Sequence, residues 1–157
     1  MSLALVRLDD RLIHGQVVVG WGHALGADRI LLIDDHVSSN EWERELYRVG
    51  VPPGLEVEFS SVADAPEAIE RSADSKWRTI VVIADVDTLV KVCSATNSVR
   101  RVNIGGVHEG AGRRRRLPYV YLTNEEGENL KSLSDRGIKV TAQDVPTASP
   151  VPLSEIL

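Results

Sequence analysis

The segment "LALVRLDDRLIHGQVVVGWGHAL", Leu3 to Leu25, decides the fold class because it places a strand directly before a helix. Residues 3–8 form a short, largely apolar run that predicts a buried strand. Beyond the polar connection, apolar residues recur at helical spacing and predict a helix over about residues 14–25. These residues are Ile13, Val17, Trp21 and Ala24.

The same alternation of strand and helix continues along the rest of the chain. The pattern predicts strands over residues 3–8, 29–33, 55–59, 79–84, 101–104, 119–122 and 138–142. Helices are predicted over about residues 14–25, 39–49, 64–73, 86–95 and 124–136. Ser38 with Glu41, and Thr123 with Glu126, have the spacing of capping boxes, and Gly137 marks the end of the last helix.

Alternating helices and continuously apolar strands indicate an α/β fold: an open, mainly parallel β-sheet with helices on both faces. The length of 157 residues fits a single domain over 1–157. The segment 146–157 is rich in proline and serine, so we expect it to lie over the surface as a tail.

Composition excludes several classes of function. A net charge of -5 and 4% aromatic residues disfavour a nucleic-acid surface. No apolar run approaches the roughly 20 residues of a membrane helix, and the N-terminus reaches charge at Arg7, unlike a signal peptide. The single cysteine, Cys93, allows no internal disulfide and is expected to be a small core residue. These features fit a cytoplasmic protein.

The segment from Asp9 to His14 lies where this fold class builds its sites. Open parallel sheets bind ligands beyond the carboxyl ends of their strands, near the starts of helices. We therefore expect His14 at or near a helix N-terminus, where backbone N–H groups and the helix dipole favour an anion. The same field disfavours a protonated imidazole, which keeps the ring neutral and nucleophilic.

An imidazole that attacks phosphorus needs one free nitrogen, an acceptor for the proton on the other, and donors for the phosphoryl oxygens. The segment can supply these groups: Asp9 or Asp10 as the acceptor, Arg11 as the charged donor, and the amides of Gly15 and Gln16 as neutral donors. This chemistry requires no metal or other cofactor if the donor is itself a phosphohistidine. The alternative from spacing alone is a half-buried structural His14 beside a surface ion network.

The signature "LDDRLIHGQVVVGW", Leu8 to Trp21, resembles the opening of the IIB component of the bacterial mannose/fructose/sorbose-type sugar phosphotransferase system. Four further segments resemble this family in order and distance, so the resemblance spans nearly the whole chain. They are "ILLIDD" (30–35), "VNIGGVHEG" (102–110), "YVYLTNEEGENLKSL" (119–133) and "GIKVTAQDVP" (137–146). The segment "ADVDT" (84–88) departs from it by lacking a basic residue expected there.

The resemblance implies a protein-phosphohistidine–sugar phosphotransferase. A phosphorylated IIA protein would pass a phosphoryl group to Nδ1 of His14, and Arg11 would contact that group. The phosphoryl group would then move to a hexose carried by the membrane IIC/IID permease, which selects the sugar. The resemblance thus implies a cytoplasmic protein peripheral to the permease, and it leaves a homodimer open.

Three other functions remain open from the residues. The first is a regulatory phosphocarrier of the same fold without its own permease. The second is a His-dependent α/β hydrolase, or a metal-assisted enzyme, that uses His14 as a general base. The third is an interaction subunit without chemistry.

Other conspicuous residues have mainly structural interpretations. His23, His36 and His108 lack metal-ligand spacing, although the last two could line the same edge as His14. Capping is the favoured role of Asp34 and Asp35. The run 113–116 predicts a solvated loop or strand edge, with docking to an acidic partner as the alternative. Finally, packing is expected of the three tryptophans: Trp21, Trp42 and Trp77.

Overall fold

The computed structural model describes residues 3–157, apart from the side chain of Val18. Its strands are β1 (Leu3–Leu8), β2 (Arg29–Ile33), β3 (Glu56–Ser60), β4 (Thr79–Ile83), β5 (Arg101–Ile104), β6 (Arg114–Leu117), β7 (Val120–Leu122), β8 (Lys139–Ala142) and β9 (Val151–Pro152). Helix α1 joins a π-helical stretch, Gln16–Gly22, to one α-turn, His23–Leu25. The other helices are α2 (Asp35–Ser38), α3 (Glu41–Val49), α4 (Ala65–Asp74), α5 (Val86–Ala95), α6 (Asn124–Asp135) and a final 3-10 turn, Leu153–Glu155.

Seven of the described strands form one sheet in the order β3-β2-β4-β1-β5-β8-β9. All neighbours are parallel except β9, which runs antiparallel to β8. From β1 the chain moves to β2 on one side, and after β4 it crosses β1 to reach β5 on the other side. The carboxyl end of β1 therefore lies where the order of strands reverses, which is where such sheets bind ligands. Strands β6 and β7 form a separate antiparallel pair.

Two hydrophobic clusters cover the two faces of the sheet, as the continuously apolar strands predict. Leu31 and Ile33 of β2 belong to the larger cluster, which also takes in buried residues of α4, α5 and α6. Ile30 and Leu32 belong to the smaller cluster on the opposite face, under α1. This division follows from the two-residue period of a strand. The open, mainly parallel α/β sheet predicted from the sequence is confirmed.

Most predicted elements are confirmed to within two residues, although one helix start and one cap differ from the prediction. Helix α1 begins at Gln16, with Gly15 as its N-cap, and not at residue 14. The capping box of Thr123 with Glu126 is present. The one assigned to Ser38 is wrong, because Asn40 caps α3 by accepting a hydrogen bond from the amide of Glu43 at 3.0 Å.

The prediction that residues 146–157 form a surface tail is wrong in part. Val151 and Pro152 add strand β9 to the edge of the sheet. Leu153 and Ile156 are buried in the larger hydrophobic cluster. Two apolar side chains spaced three residues apart point inward from the 3-10 turn, so the tail closes the core at this edge.

Two smaller expectations concern Cys93 and membrane insertion. Cys93 is buried, as expected, and burial raises the pKa of its thiol to about 11. Among the described residues, no helix has both the length and the apolar character needed to cross a bilayer.

Candidate active site

The candidate site lies at the carboxyl end of β1, where the chain leaves the sheet and turns toward α1. The amide of Asp9 donates to the carbonyl of Ile83 at 2.9 Å, and that of Asp10 to Gly106 at 2.8 Å. The amide of Leu12 closes the turn on the carbonyl of Asp9 at 3.1 Å. Leu12 has a φ of 60°, and a left-handed leucine costs about 1–3 kcal/mol. Surrounding contacts must therefore hold this turn in place.

Asp9 is the fully buried centre of the site. Its Oδ2 accepts from Arg7 Nε at 3.2 Å and Arg11 Nη2 at 2.9 Å, and its Oδ1 accepts from Arg11 Nε at 2.9 Å. His14 Nε2 lies 3.2 Å from the same Oδ2. Burial opposes ionisation, but hydrogen bonds from His14 and Arg11 and the charge of Arg7 outweigh it. They hold the pKa of Asp9 well below its usual range, so the carboxylate is ionised at neutral pH.

Arg7 lies beneath Asp9 and is also fully buried. Burial lowers its pKa, which the neighbouring Asp9 carboxylate opposes. Its guanidinium connects β1 to β5 and to the segment after β8. The acceptors there are Asn103 Oδ1 and the carbonyls of Gln143 and Asp144, the last two at 2.9 Å each. The buried charges are thus paired, as buried charges must be.

Two glycines make room for the two guanidinium groups. A Cβ on Gly105 would lie 2.3 Å from Arg7 Nη2 and 2.6 Å from Asp9 Oδ2. A Cβ on Gly106 would lie 2.8 Å from Arg11 Nε. The Gly-Gly turn after β5 therefore has a steric reason, since any side chain there would displace the groups that hold Asp9.

His14 is contacted at both ring nitrogens and stays reachable from solvent. Its Nε2 faces Asp9, while its Nδ1 accepts a hydrogen bond from the backbone N–H of Gln16 at 3.2 Å. The side chain is 18% exposed. Gly15 lies at the surface, and a Cβ placed on it would meet none of the described heavy atoms within 4 Å. A visiting group can therefore approach the Nδ1 edge of the ring.

Of the two candidate acceptors, Asp9 contacts His14, and Asp10 has a different neighbour. The carboxylate of Asp10 accepts from the backbone N–H of His108 at 2.8 Å and lies 2.5 Å from His108 Nδ1. Asp10 therefore fixes the loop after β5 beside the site. His108 is at the same edge as His14, as the sequence allowed, and its side chain is mostly exposed.

The other residues singled out in the sequence have structural contacts. Asp34 caps α2 by accepting from the amide of Val37 at 2.9 Å, as expected, whereas Asp35 accepts from the amide of Val62 at 2.8 Å and does not cap the helix. His36 pairs with Glu43 at 2.7 Å, away from Asp9. Most of the arginine run forms β6, a strand edge as expected, and Arg113 makes a two-point contact with Glu126 at 3.0 and 2.9 Å. Within residues 3–157, no group of three potential ligands could hold a metal ion.

Sequence reasoning missed Arg7, Asn103 and Asp144, which complete the site. A usable signal was the charged Arg7 in an otherwise apolar strand, because a buried charge requires a partner. Asp144 follows the end of β8, so it shares the carboxyl edge of the sheet; its carbonyl also accepts from Trp21 Nε1 at 3.3 Å. No sequence pattern predicted the left-handed backbone conformation of Leu12.

Comparison with known proteins identifies the family of the chain. The sequence pattern of the family described as "PTS system sorbose subfamily IIB component" matches residues 3–157. The fructose-specific EIIB component of Bacillus subtilis (strain 168) is 26% identical over 157 residues, covering 100% of this chain and 96% of that protein. The mannose-specific EIIAB component of Escherichia coli (strain K12) is 24% identical over 100% of this chain but only 49% of its own length.

Solved structures show the same relationship. The crystal structure of the IIBSor domain of the sorbose permease from Klebsiella pneumoniae matches with a TM-score of 0.89 and 27% identity, covering 99% of this chain and 96% of that chain. The match of the family pattern to nearly the whole chain and the agreement in fold lead to one conclusion. The chain belongs to the sorbose subfamily of IIB components of the bacterial phosphotransferase system, which transfer phosphoryl groups.

Proposed function

We propose that this chain is a single-domain phosphocarrier that accepts a phosphoryl group on Nδ1 of His14 from a phosphorylated IIA protein. It then passes the group to a hexose at a membrane IIC/IID permease, acting in the cytoplasm beside that permease. The observation that carries this proposal is the pair of contacts on the His14 ring, Nε2 to Asp9 and Nδ1 to the amide of Gln16.

These two contacts determine the tautomer of the neutral ring. One imidazole nitrogen carries the proton, and the other carries a lone pair. An ionised Asp9 can only accept a hydrogen bond, and the backbone N–H of Gln16 can only donate one. The proton therefore belongs on Nε2 and the lone pair on Nδ1, which is the nitrogen that can attack phosphorus.

The first transfer forms a bond between Nδ1 of His14 and phosphorus. The N–P bond of the donor's phosphohistidine breaks, and its electron pair returns to the donor's ring. His14 keeps its Nε2 proton and becomes a positively charged phosphoimidazolium, which the ionised Asp9 stabilises. In the second transfer a sugar hydroxyl attacks phosphorus, the N–P electron pair returns to Nδ1, and the hydroxyl proton passes to solvent.

Donors for the phosphoryl oxygens surround the Nδ1 edge of His14. Arg11 donates hydrogen bonds to Asp9 from Nε and Nη2. Its guanidinium is partly exposed, and Nη1 can donate to a phosphoryl oxygen. Once Nδ1 is bonded to phosphorus, the amide of Gln16 is free to donate to an oxygen, and the amide of Gly15 is beside it. Such fixed donors stabilise the charge that the transfer moves.

The names of the relatives support the class of sugar and the kind of phosphoryl donor. The relatives described above are named for fructose, mannose and sorbose, all of them hexoses. One relative, the mannose-specific EIIAB component, is twice as long as the matched region and is named for both its A and B parts. This supports a IIA domain as the phosphoryl donor to the part that this chain resembles.

The proposal is tested by phosphoryl transfer in vitro. The chain is incubated with labelled phosphoenolpyruvate, the general phosphotransferase proteins and a IIA protein of this family. We expect an acid-labile, base-stable label on the chain, and its loss when permease-containing membranes and a hexose are added. Without IIA the label should be absent. A chain that never becomes labelled with any IIA protein of the family would contradict the proposal.

Replacing Arg11 with alanine should slow the transfer by roughly 100- to 1,000-fold, the usual loss for one donor to a transferred charge. The fold should persist, since Asp9 keeps Arg7 as its buried partner. Single-turnover rates and thermal unfolding measure the two effects. Arg71→Ala is the matched control, because Arg71 pairs with Glu58 on the edge strand β3. Equal rates for Arg11→Ala and the parent would remove Arg11 from the mechanism.

A further inference from the structure

We propose that an exposed apolar surface beside His14 is the docking site for the phosphorylated IIA donor. The surface consists of Val19 on α1 and of Trp42, Leu46 and Val49 on α3, and we call it the docking patch. This inference rests on the proposed function, because it concerns the partner that delivers the phosphoryl group to the same histidine.

The docking patch is unusual because α3 presents its apolar stripe to solvent. Trp42, Leu46 and Val49 follow the spacing i, i+4, i+7, which places them on one face of the helix. Such a stripe normally packs against the core, yet these side chains are 72%, 55% and 76% exposed. Helix α3 is described in full, and none of its residues is fully buried. The expectation that Trp42 is a packing residue is therefore wrong.

Helix α3 is attached to the core by a different face. Tyr47 packs against Phe59 of β3, with ring centroids 6.4 Å apart, and belongs to the edge of the smaller hydrophobic cluster. The exposed stripe is therefore not required to hold the helix in place. An exposed apolar patch of this kind commonly marks an interaction site.

Two members of the docking patch, Val19 and Leu46, share a groove with His14, while Trp42 and Val49 continue the apolar stripe outside it. A cavity of about 440 Å³ is lined by Val19, Leu46 and His14. Its remaining lining residues are Ile13, Gly15, Glu43, Tyr47 and Gly50. Val19 is 72% exposed on α1, across the groove from α3. A protein surface that extends from Trp42 over Leu46 to Val19 would therefore also cover the imidazole.

Phosphoryl transfer requires this coverage from the donor. The reacting atoms must approach to about 3–3.5 Å, so the donor surface around its own phosphohistidine must contact the surroundings of His14. An exposed tryptophan beside a leucine is the kind of anchor that dominates such interfaces. The patch has only four apolar side chains, which suits a short-lived encounter better than a stable dimer.

Two other occupants fit the docking patch less well. A second copy of this chain bound there would cover His14 and block every transfer. A partner embedded in an anionic membrane would meet acidic side chains, because Glu43 and Glu45 flank the stripe on α3. A IIA protein in solution meets neither obstacle.

The test compares Trp42→Ala with Trp77→Ala. Trp77 is a second partly exposed tryptophan, 43% exposed, that precedes β4 at the opposite end of the sheet. Initial rates of phosphoryl transfer to the chain are measured over a range of concentrations of a phosphorylated IIA protein of this family. For Trp42→Ala we expect the half-saturating concentration to rise by at least about tenfold, as for an interface anchor, with the saturated rate nearly unchanged. Trp77→Ala should match the parent.

Leu46→Gln serves as a second variant and should show the same rise. Thermal unfolding of each variant confirms that the fold is retained. Trp42 and Leu46 are largely exposed and Trp77 is partly exposed. The parent chain could be labelled on His14 while Trp42→Ala and Leu46→Gln have the same half-saturating concentration of IIA as the parent. That result would overturn the docking inference alone. Absence of label on the parent chain would instead overturn the proposed function and this inference together.

Discussion

His14→Ala is expected to reduce phosphorylation of the chain to background. The substitution removes the imidazole whose Nδ1 is the proposed nucleophile. Arg11 and the amides can orient a phosphoryl group but are not nucleophiles at neutral pH. The Asp9 carboxylate is fully buried, and both of its oxygens accept hydrogen bonds, so it cannot reach the phosphorus. Labelling from phosphoenolpyruvate in the presence of IIA, followed by acid and base treatment, measures the loss.

The effect should be on chemistry and not on folding. His14 is partly exposed and makes one side-chain contact with Asp9, whose other hydrogen bonds remain. The substitution also removes the hydrogen bond from the amide of Gln16. Each lost hydrogen bond lowers the free energy of unfolding by about 1 kcal/mol. His23→Ala is the matched control, since His23 lies on the exposed surface of α1. A His14→Ala chain that still accepts the label would place the phosphorylation site elsewhere.

The site of the label on the ring is a separate readout of the same experiment. In the phosphorylated parent, the ring contacts predict a phosphorus bound to Nδ1 and a proton on Nε2. Proton–phosphorus correlation spectra distinguish the two ring positions. A bond to Nε2 would mean that the ring turns away from Asp9 before transfer, which contradicts the geometry described here.

Gly105→Ala should lower the free energy of unfolding by about 3–5 kcal/mol, the usual cost of breaking a buried ion pair. The new Cβ would lie 2.3 Å from Arg7 Nη2, 2.5 Å from Arg7 Cζ and 2.6 Å from Asp9 Oδ2. A guanidinium at the surface could move aside at little cost. Arg7 is fully buried and donates to Asp9, Asn103, Gln143 and Asp144, so it has no alternative position.

Denaturant unfolding measures this loss, and Gly50→Ala is the control. A Cβ on Gly50 would lie 3.4 Å from the carbonyl of Leu46, an ordinary contact, and the residue has a right-handed φ of -77°. We also expect Gly105→Ala to slow phosphoryl transfer under conditions in which it is folded, because Asp9 would shift relative to His14. A variant as stable as Gly50→Ala and as active as the parent would show that the Arg7–Asp9 pair can move freely.

Residue patterns near in sequence predicted the elements and much of the candidate site. After their first residue, strands β2 and β4 are apolar at every position, which indicates a sheet covered on both faces. The connection from Asp9 to Gln16 joins a strand to a helix, so its location at the carboxyl edge followed from topology rules. The resemblance then assigned chemistry to His14 and Arg11 at fixed positions in that connection.

Local sequence patterns could not predict contacts between residues that are far apart in the chain. Asp9 and Asp10 are adjacent in the chain, but only the loop carrying His108 decides that Asp10 turns away from His14. Arg7 is decisive because Asn103 and Asp144, about 100 residues or more distant in sequence, come to lie beside it.

The sequence by itself determined the alternation of strands and helices, the edge at which the site lies and the histidine that occupies it. These properties depend on local periodicity and on the order of neighbouring elements. Only the tertiary structure decided which carboxylate holds the imidazole and why position 105 requires glycine. It also decided that the apolar stripe of α3 faces solvent beside His14. Each depends on groups that are remote in the chain, and the free energy of burying or exposing them is set by the packing of the whole sheet.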